Sequence, residues 1–190
     1  MFLGASGLVT GGFVILPLLV AAGFVTACDW AGRRLGQAVA ERRRRTVRVG
    51  AAVLAWLSVT AVIAASGVLR WFDATPPPFA VFALAVGVVG IAVSCSPLGT
   101  LLVRGLPLWV LVGFQVFRFP LELVMHQAYV EGVMPVQMSY SGRNYDILSG
   151  VTAGILGCWL YMALIDPFRR LVVYPALGRQ VQQRWSRVYA

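Results

Sequence analysis

Leu106-Pro107-Leu108-Trp109-Val110-Leu111-Val112-Gly113-Phe114-Gln115-Val116-Phe117-Arg118-Phe119-Pro120-Leu121-Glu122-Leu123-Val124-Met125-His126 is the stretch on which the reading of this chain turns. From Leu106 to Met125 it is mostly apolar and as long as a bilayer crossing, which takes about 20 residues. Yet it carries Gln115, Arg118 and Glu122, with His126 one residue past its end. An ionisable group at bilayer depth is costly, so it faces a protein interior or a wet cavity rather than lipid. The stretch therefore reads as a membrane span with a polar site on it.

The rest of the chain agrees with that class. Of 190 residues, 59% are hydrophobic and 12% charged, and the mean hydropathy is +0.79, whereas a soluble domain is about one quarter charged. Five apolar stretches qualify as spans: Leu8 to Cys28, Val49 to Val68, Phe79 to Val103, Leu106 to Met125 and Ile147 to Ile165. The expected fold is an all-α, polytopic helix bundle forming one integral membrane domain. Arg104-Gly105 alone separates the third and fourth spans, which suggests a tight helical hairpin. Pro17, Pro97, Pro107 and Pro120 lie in or near spans, where neighbours can satisfy the carbonyls they free.

All sixteen basic residues are arginine, which looks like codon bias, and the net charge is +9. Nucleic acid is a poor partner for that charge, because the arginines gather in two segments that border apolar spans. One is the loop 29–48, with Arg33, Arg34, Arg42, Arg43, Arg44, Arg45 and Arg48; the other is the tail 166–190, with Arg169, Arg170, Arg179, Arg184 and Arg187. The positive-inside rule makes both cytoplasmic. Five spans from an outside N-terminus satisfy that, leaving only Arg70 and Arg143 in outer loops. Leu177, Val181, Trp185 and Val188 share one helical face of the tail, which suggests a short interfacial helix on the inner leaflet. Arg42 to Arg45 either signal topology alone or also attract anionic headgroups. Membrane lipids are thus expected partners.

Cys28, Cys95 and Cys158 show no metal-ligand spacing and read as small packing residues. Val25-Thr26-Ala27-Cys28 resembles a lipoprotein processing box, but Met1 to Gly7 lacks the basic region of a signal peptide. No second histidine joins His126, so no metal, haem or other cofactor is expected.

At about 100° per residue, Gln115, Arg118, Glu122 and His126 share a strip of about 80° on one helical face. Residues four apart can meet there, which predicts Glu122 flanked by Arg118 and His126 and kept ionised by them. Two roles compete: a buried staple that sets helix packing, or a site that moves protons or ions or grips a headgroup. The outer loop 126–146 adds Gln137, Arg143, Asn144 and Asp146 beside the His126 end, making a shared outward pocket. Asn144 or Asp146 can cap the last span, and Gly150, Gly154 and Cys158 form a line of small residues that lets it approach another helix closely.

Arg118-x-x-x-Glu122, Pro135-x-Gln137-Met138 and Gly142-Arg143-Asn144-x-Asp146-Ile147-x-x-Gly150-x-Thr152-Ala153 together resemble an uncharacterised family of small bacterial multi-pass membrane proteins. The likeness covers roughly residues 114 to 154; it implies a place in the inner membrane of a bacterium and no activity. Two positions depart from it: Ser141 stands where the family usually has glutamate, and Gly154 where it has proline. Family members continue into a further apolar span where this chain has its basic tail, which would make it a shortened or frameshifted variant.

Three functions follow. A binding or accessory membrane protein, gripping a headgroup, a small polar ligand, another membrane subunit or a second copy, asks least of 190 residues. A small transporter or channel would use Glu122 as its proton- or ion-linked group. An intramembrane enzyme, with Glu122 and His126 as acid and base on a lipid-linked substrate, comes last, because no activated nucleophile or phosphate-binding loop accompanies them.

Overall fold

The computed structural model describes residues 4–71, 73–142 and 144–168, with side chains as far as residue 163. Arg143 and the proposed interfacial helix of the tail lie outside the described residues. Seven α-helices are described: α1 (Gly7–Arg34), α2 (Val39–Ala65), α3 (Pro78–Ser94), α4 (Pro97–Gly105), α5 (Leu108–Gly113), α6 (Arg118–Val130) and α7 (Asp146–Phe168). Short 3-10 turns stand at Val68–Arg70, Phe114–Phe117 and Val136–Met138, and there is no strand among the described residues. Four helical stretches are long and apolar enough to cross a membrane: Gly7–Arg34, Val39–Ala65, Leu108–Val130 and Asp146–Ala163. The α3–α4 pair, bent by 61°, makes a fifth if counted as one span.

The chain divides into two compact units, Thr10–Pro107 and Met1–Val9 with Leu108–Ala190. In the first, the basic segment expected as a loop is mostly helix. α1 runs through Arg34 and α2 starts at Val39, so only four residues turn the chain. Arginine is a good helix former, and the end of an apolar stretch marks where lipid stops, not where a helix must. Gly36 ends α1 with φ +69°. The Gln37 amide bonds the Gly32 carbonyl and the Gly36 amide that of Arg33, both at 3.1 Å, the paired closure of a left-handed C-cap. The third predicted span breaks at Cys95-Ser96. Ser96 Oγ accepts the amides of Leu98 (3.1 Å) and Gly99 (3.4 Å), and Pro97 takes the first helical position, where its missing N–H costs nothing. α2 and α3 bury none of their residues. Open apolar surface on that scale suits contact with lipid rather than water.

The second unit is built on α5, α6 and α7. A Cβ on Gly150 would stand 2.5 Å from the Phe119 amide nitrogen, one on Gly154 3.3 Å from Val116 Cγ2, and one on Gly157 3.0 Å from Gly113 Cα. These contacts run in opposite chain directions, so α7 lies antiparallel to α5–α6 at nearly backbone-to-backbone distance, as small residues permit. The expected line thus holds for Gly150 and Gly154, but Gly157 continues it. Cys158 is exposed, as is Cys95, so among the cysteines only Cys28 packs as expected. At the other end Ser6 starts α1, accepting the Val9 amide at 3.3 Å. Its own amide and hydroxyl donate to Glu131 at 2.8 and 2.7 Å.

Candidate functional site

The fourth predicted span is one helical rod with a change of pitch. α5 gives way to a 3-10 turn over Phe114–Phe117 before α6 begins. Pro120 stands in the first turn of α6, where a missing amide is tolerated, and the chain tightens just ahead of it. In a 3-10 turn residues three apart eclipse, which places Gln115 against Arg118. Arg118 Nε donates to Gln115 Oε1 at 3.2 Å. α6 then continues through Val130, so His126 lies within the helix and the loop expected from residue 126 begins at Glu131.

Apart from that bond between Arg118 and Gln115, the rungs of the predicted ladder do not pair with one another: Glu122 is bound by neither Arg118 nor His126 among the described contacts. Arg118 Nη1 meets Asp146 Oδ1 at 2.9 Å, with side chains 37% and 50% exposed. Glu122 is 1% exposed and takes its bond from Asn144, whose Nδ2 lies 2.5 Å from Oε1. His126 Nδ1 shares a hydrogen bond of 3.0 Å with Ser141 Oγ, and its ring stacks on Tyr140 with centroids 4.4 Å apart. Arg118, Glu122 and His126 thus each reach across to the loop or to the start of α7. The cause is the close crossing at Gly150: it brings the residues just before and at the start of α7 alongside the stripe, nearer than the next turn of α6 itself. Helical periodicity places residues on a face but cannot show what a second helix brings to it.

Asn144 is the centre of this arrangement. Its Nδ2 also donates to the Met138 carbonyl at 3.2 Å, and its Oδ1 accepts the Asp146 amide at 3.2 Å. Two acceptors on one side and a donor on the other fix the orientation of the carboxamide. The expected capping of α7 is made by Asn144, while Asp146 opens the helix and binds Arg118. Gln137 is exposed, and its contribution is backbone: a Cβ on Gly142 would overlap the Val136 carbonyl and come within 2.7 Å of Gln137 Cα. That close approach folds the loop back so that Ser139, Tyr140 and Ser141 lie over α6.

One polar atom of the cluster lacks a partner. Glu122 Oε2 is buried without a hydrogen bond, although the Tyr140 backbone amide acts on the same carboxyl group. A buried acceptor left unmet costs about 1–3 kcal/mol, and such groups are few in native proteins. Among the described residues no three His, Cys, Asp or Glu side chains gather as metal ligands. Deeper along the same helix pair is an apolar groove of about 500 Å³, lined by Trp109, Gly113, Phe114, Gly157, Cys158 and Tyr161 among others; it offers little to orient a polar ligand.

Sequence reasoning missed Ser141 as the partner of His126, and Tyr140 stacked on it. It also missed Glu131, bound to Ser6 and, at 2.9 Å, to Gln127 Nε2. Ser6 and Glu131 are 125 residues apart, and no periodicity links them. The Ser6 hydroxyl and then its amide, followed by Gln127, hold the Glu131 carboxyl below its usual range. Comparison with protein-family models, with curated proteins and with solved structures finds no match for this chain.

Proposed function

We propose that this chain is a binding or accessory protein of the bacterial inner membrane, belonging to the family that its Arg118–Ala153 motif resembles. It crosses the bilayer five times, with the N-terminus outside and the C-terminus inside. The cluster under its outer loop receives a small polar ligand, a lipid headgroup or a side chain of another membrane subunit. The observation that carries this reading is Glu122 Oε2, a buried carboxyl oxygen without a hydrogen bond of its own, beneath the loop that reaches its neighbours through Asn144 and Ser141. A staple alone would close on itself. Here Arg118 is turned to Asp146, so the carboxylate has an acceptor to offer an incoming donor.

Native mass spectrometry of the protein extracted in its own lipid tests this. Wild type is expected to carry a bound species that Glu122→Gln loses while folded yield is kept. Identical spectra for the two would defeat the proposal. The same oxygen also favours a second reading, a proton- or ion-linked transporter; proteoliposome flux abolished by Glu122→Gln would select it.

A further inference from the structure

The elbow between α1 and α2 holds a second group without a partner, of opposite sign. Five arginines fall within Arg42–Arg48, but they are not equivalent. Arg42 Nε binds Asp29 at 2.9 Å, and Arg33 binds the other oxygen of Asp29. Arg45 turns inward over Gly32, where any Cβ would collide with its Nη2. Its Nε and Nη2 are buried with no acceptor, as is the Thr46 hydroxyl. Arg44, Arg45 and Arg48 line a cavity of about 580 Å³ with Ala38, Ala40 and Glu41. Arg43, Arg44 and Arg48 line a second of about 510 Å³. Glu41 is the one carboxylate on either wall.

Three features of this elbow call for an anion. Arg44 and Arg48 are four apart and Arg45 and Arg48 three apart, so like charges are crowded on one face and repel. The N-terminus of α2 opens beside them with Ala38 at its cap and no side chain accepting its amides; the positive end of the helix adds to the field. The Arg45 guanidinium, with two of its nitrogens buried, is a planar fork of donors suited to phosphate oxygens, and Gln37 Oε1, which also stands over Gly32, is buried without a partner too, so its carboxamide can turn its NH2 to the same ligand.

We propose that the α1–α2 elbow is a binding site for a phosphate group, whether carried on an anionic lipid headgroup or free in solution, with Arg45 as its inner donor and Arg44 and Arg48 closing over it. This goes beyond diffuse attraction of basic residues to a membrane, because it assigns unequal roles to arginines of equal charge.

The test uses the full chain in detergent, mixed with phosphatidylglycerol or phosphatidylcholine, and counts retained lipid by native mass spectrometry. Wild type keeps phosphatidylglycerol at least tenfold better than phosphatidylcholine. Arg45→Gln lowers that retention tenfold or more. Arg34→Gln removes the same charge close by but lines neither cavity; it lowers retention by about fivefold at most, the worth of one charge near an anionic surface. Should Arg45→Gln not fold, Arg44→Gln and Arg48→Gln, which alter exposed side chains, carry the same expectation. Inorganic phosphate at millimolar concentration separates the sources: displacement of the lipid in wild type assigns a free phosphate, and its failure assigns the headgroup. Equal losses for the site variants and Arg34→Gln, or equal retention of the two lipids by wild type, overturn the site.

Discussion

Replacing Asn144 with alanine should cost far more than its partly exposed position suggests. The substitution removes the 2.5 Å side-chain bond to the Glu122 carboxyl, along with the Asp146 amide cap. Stranding a buried acceptor costs about 1–3 kcal/mol, and a lost helix cap about 1 kcal/mol. Water can replace the bond to the Met138 carbonyl. The sum is about 3 kcal/mol, roughly a 150-fold fall in the ratio of folded to unfolded protein. Reversible unfolding in mixed micelles, driven by rising SDS and followed by tryptophan fluorescence, measures it. The decisive comparison is with Glu122→Leu as background. With the carboxylate gone, Asn144→Ala should cost only the cap, about 1 kcal/mol, leaving a coupling near 2 kcal/mol. If Asn144→Ala costs the same in both backgrounds to within about 0.5 kcal/mol, the two sites are independent, and the reasoning about the cluster fails.

Gly150→Ala should lower unfolding free energy by about 1–3 kcal/mol, since its Cβ meets backbone that cannot step aside, whereas Gly87→Ala, with open space around it, should raise stability by a few tenths up to about 1 kcal/mol; SDS titration reads both signs. Gly142→Ala should unseat the loop, because its Cβ overlaps the Val136 carbonyl, and faster amide exchange at Ser139 to Ser141 would report it. Glu131 has its carboxyl held below the usual range by Ser6 and Gln127. Its contribution to the tie with Ser6 is therefore complete above the unfolded-state value of about 4.3 and fades as pH falls through the lower folded-state value. Hydrogen exchange at the start of α1 should follow that course in wild type and lose its pH dependence in Glu131→Gln.

The all-helical character of the described residues, with helices long and apolar enough to cross a membrane, is legible from apolar runs alone, because a run of that length leaves the backbone few ways to satisfy its amides. Helix ends were less legible. α1 outruns Cys28 by six residues and α2 precedes Val49 by ten, since arginine ends the contact with hydrocarbon without ending the helix. The stripe shows the same division. Spacing placed Arg118, Glu122 and His126 on one face, and that face is where their contacts lie. Their partners were hidden, because Asn144, Asp146 and Ser141 arrive only after Gly150 lets α7 touch the backbone of Phe119. The small-residue line announced that contact; what it would carry into reach of Glu122 had no signal of its own.

The bond between Asn144 and Glu122 joins two residues with different reasons to be there. Asn144 caps α7 and holds the loop at Met138, so the fold needs its carboxamide whatever stands at position 122. Glu122 caps nothing and closes no turn. A leucine of similar size in a buried position removes the need for a donor, and such exchanges are often neutral or better. Packing alone therefore gives no reason for a carboxylate at this depth, and the oxygen that Asn144 does not reach is the part of the residue that stability least explains. On the proposed reading, Glu122→Leu should yield well-folded protein that has lost its ligand, and Asn144→Ala protein that has lost both. Folded, ligand-bearing Glu122→Leu would return the carboxylate to the status of a packing residue.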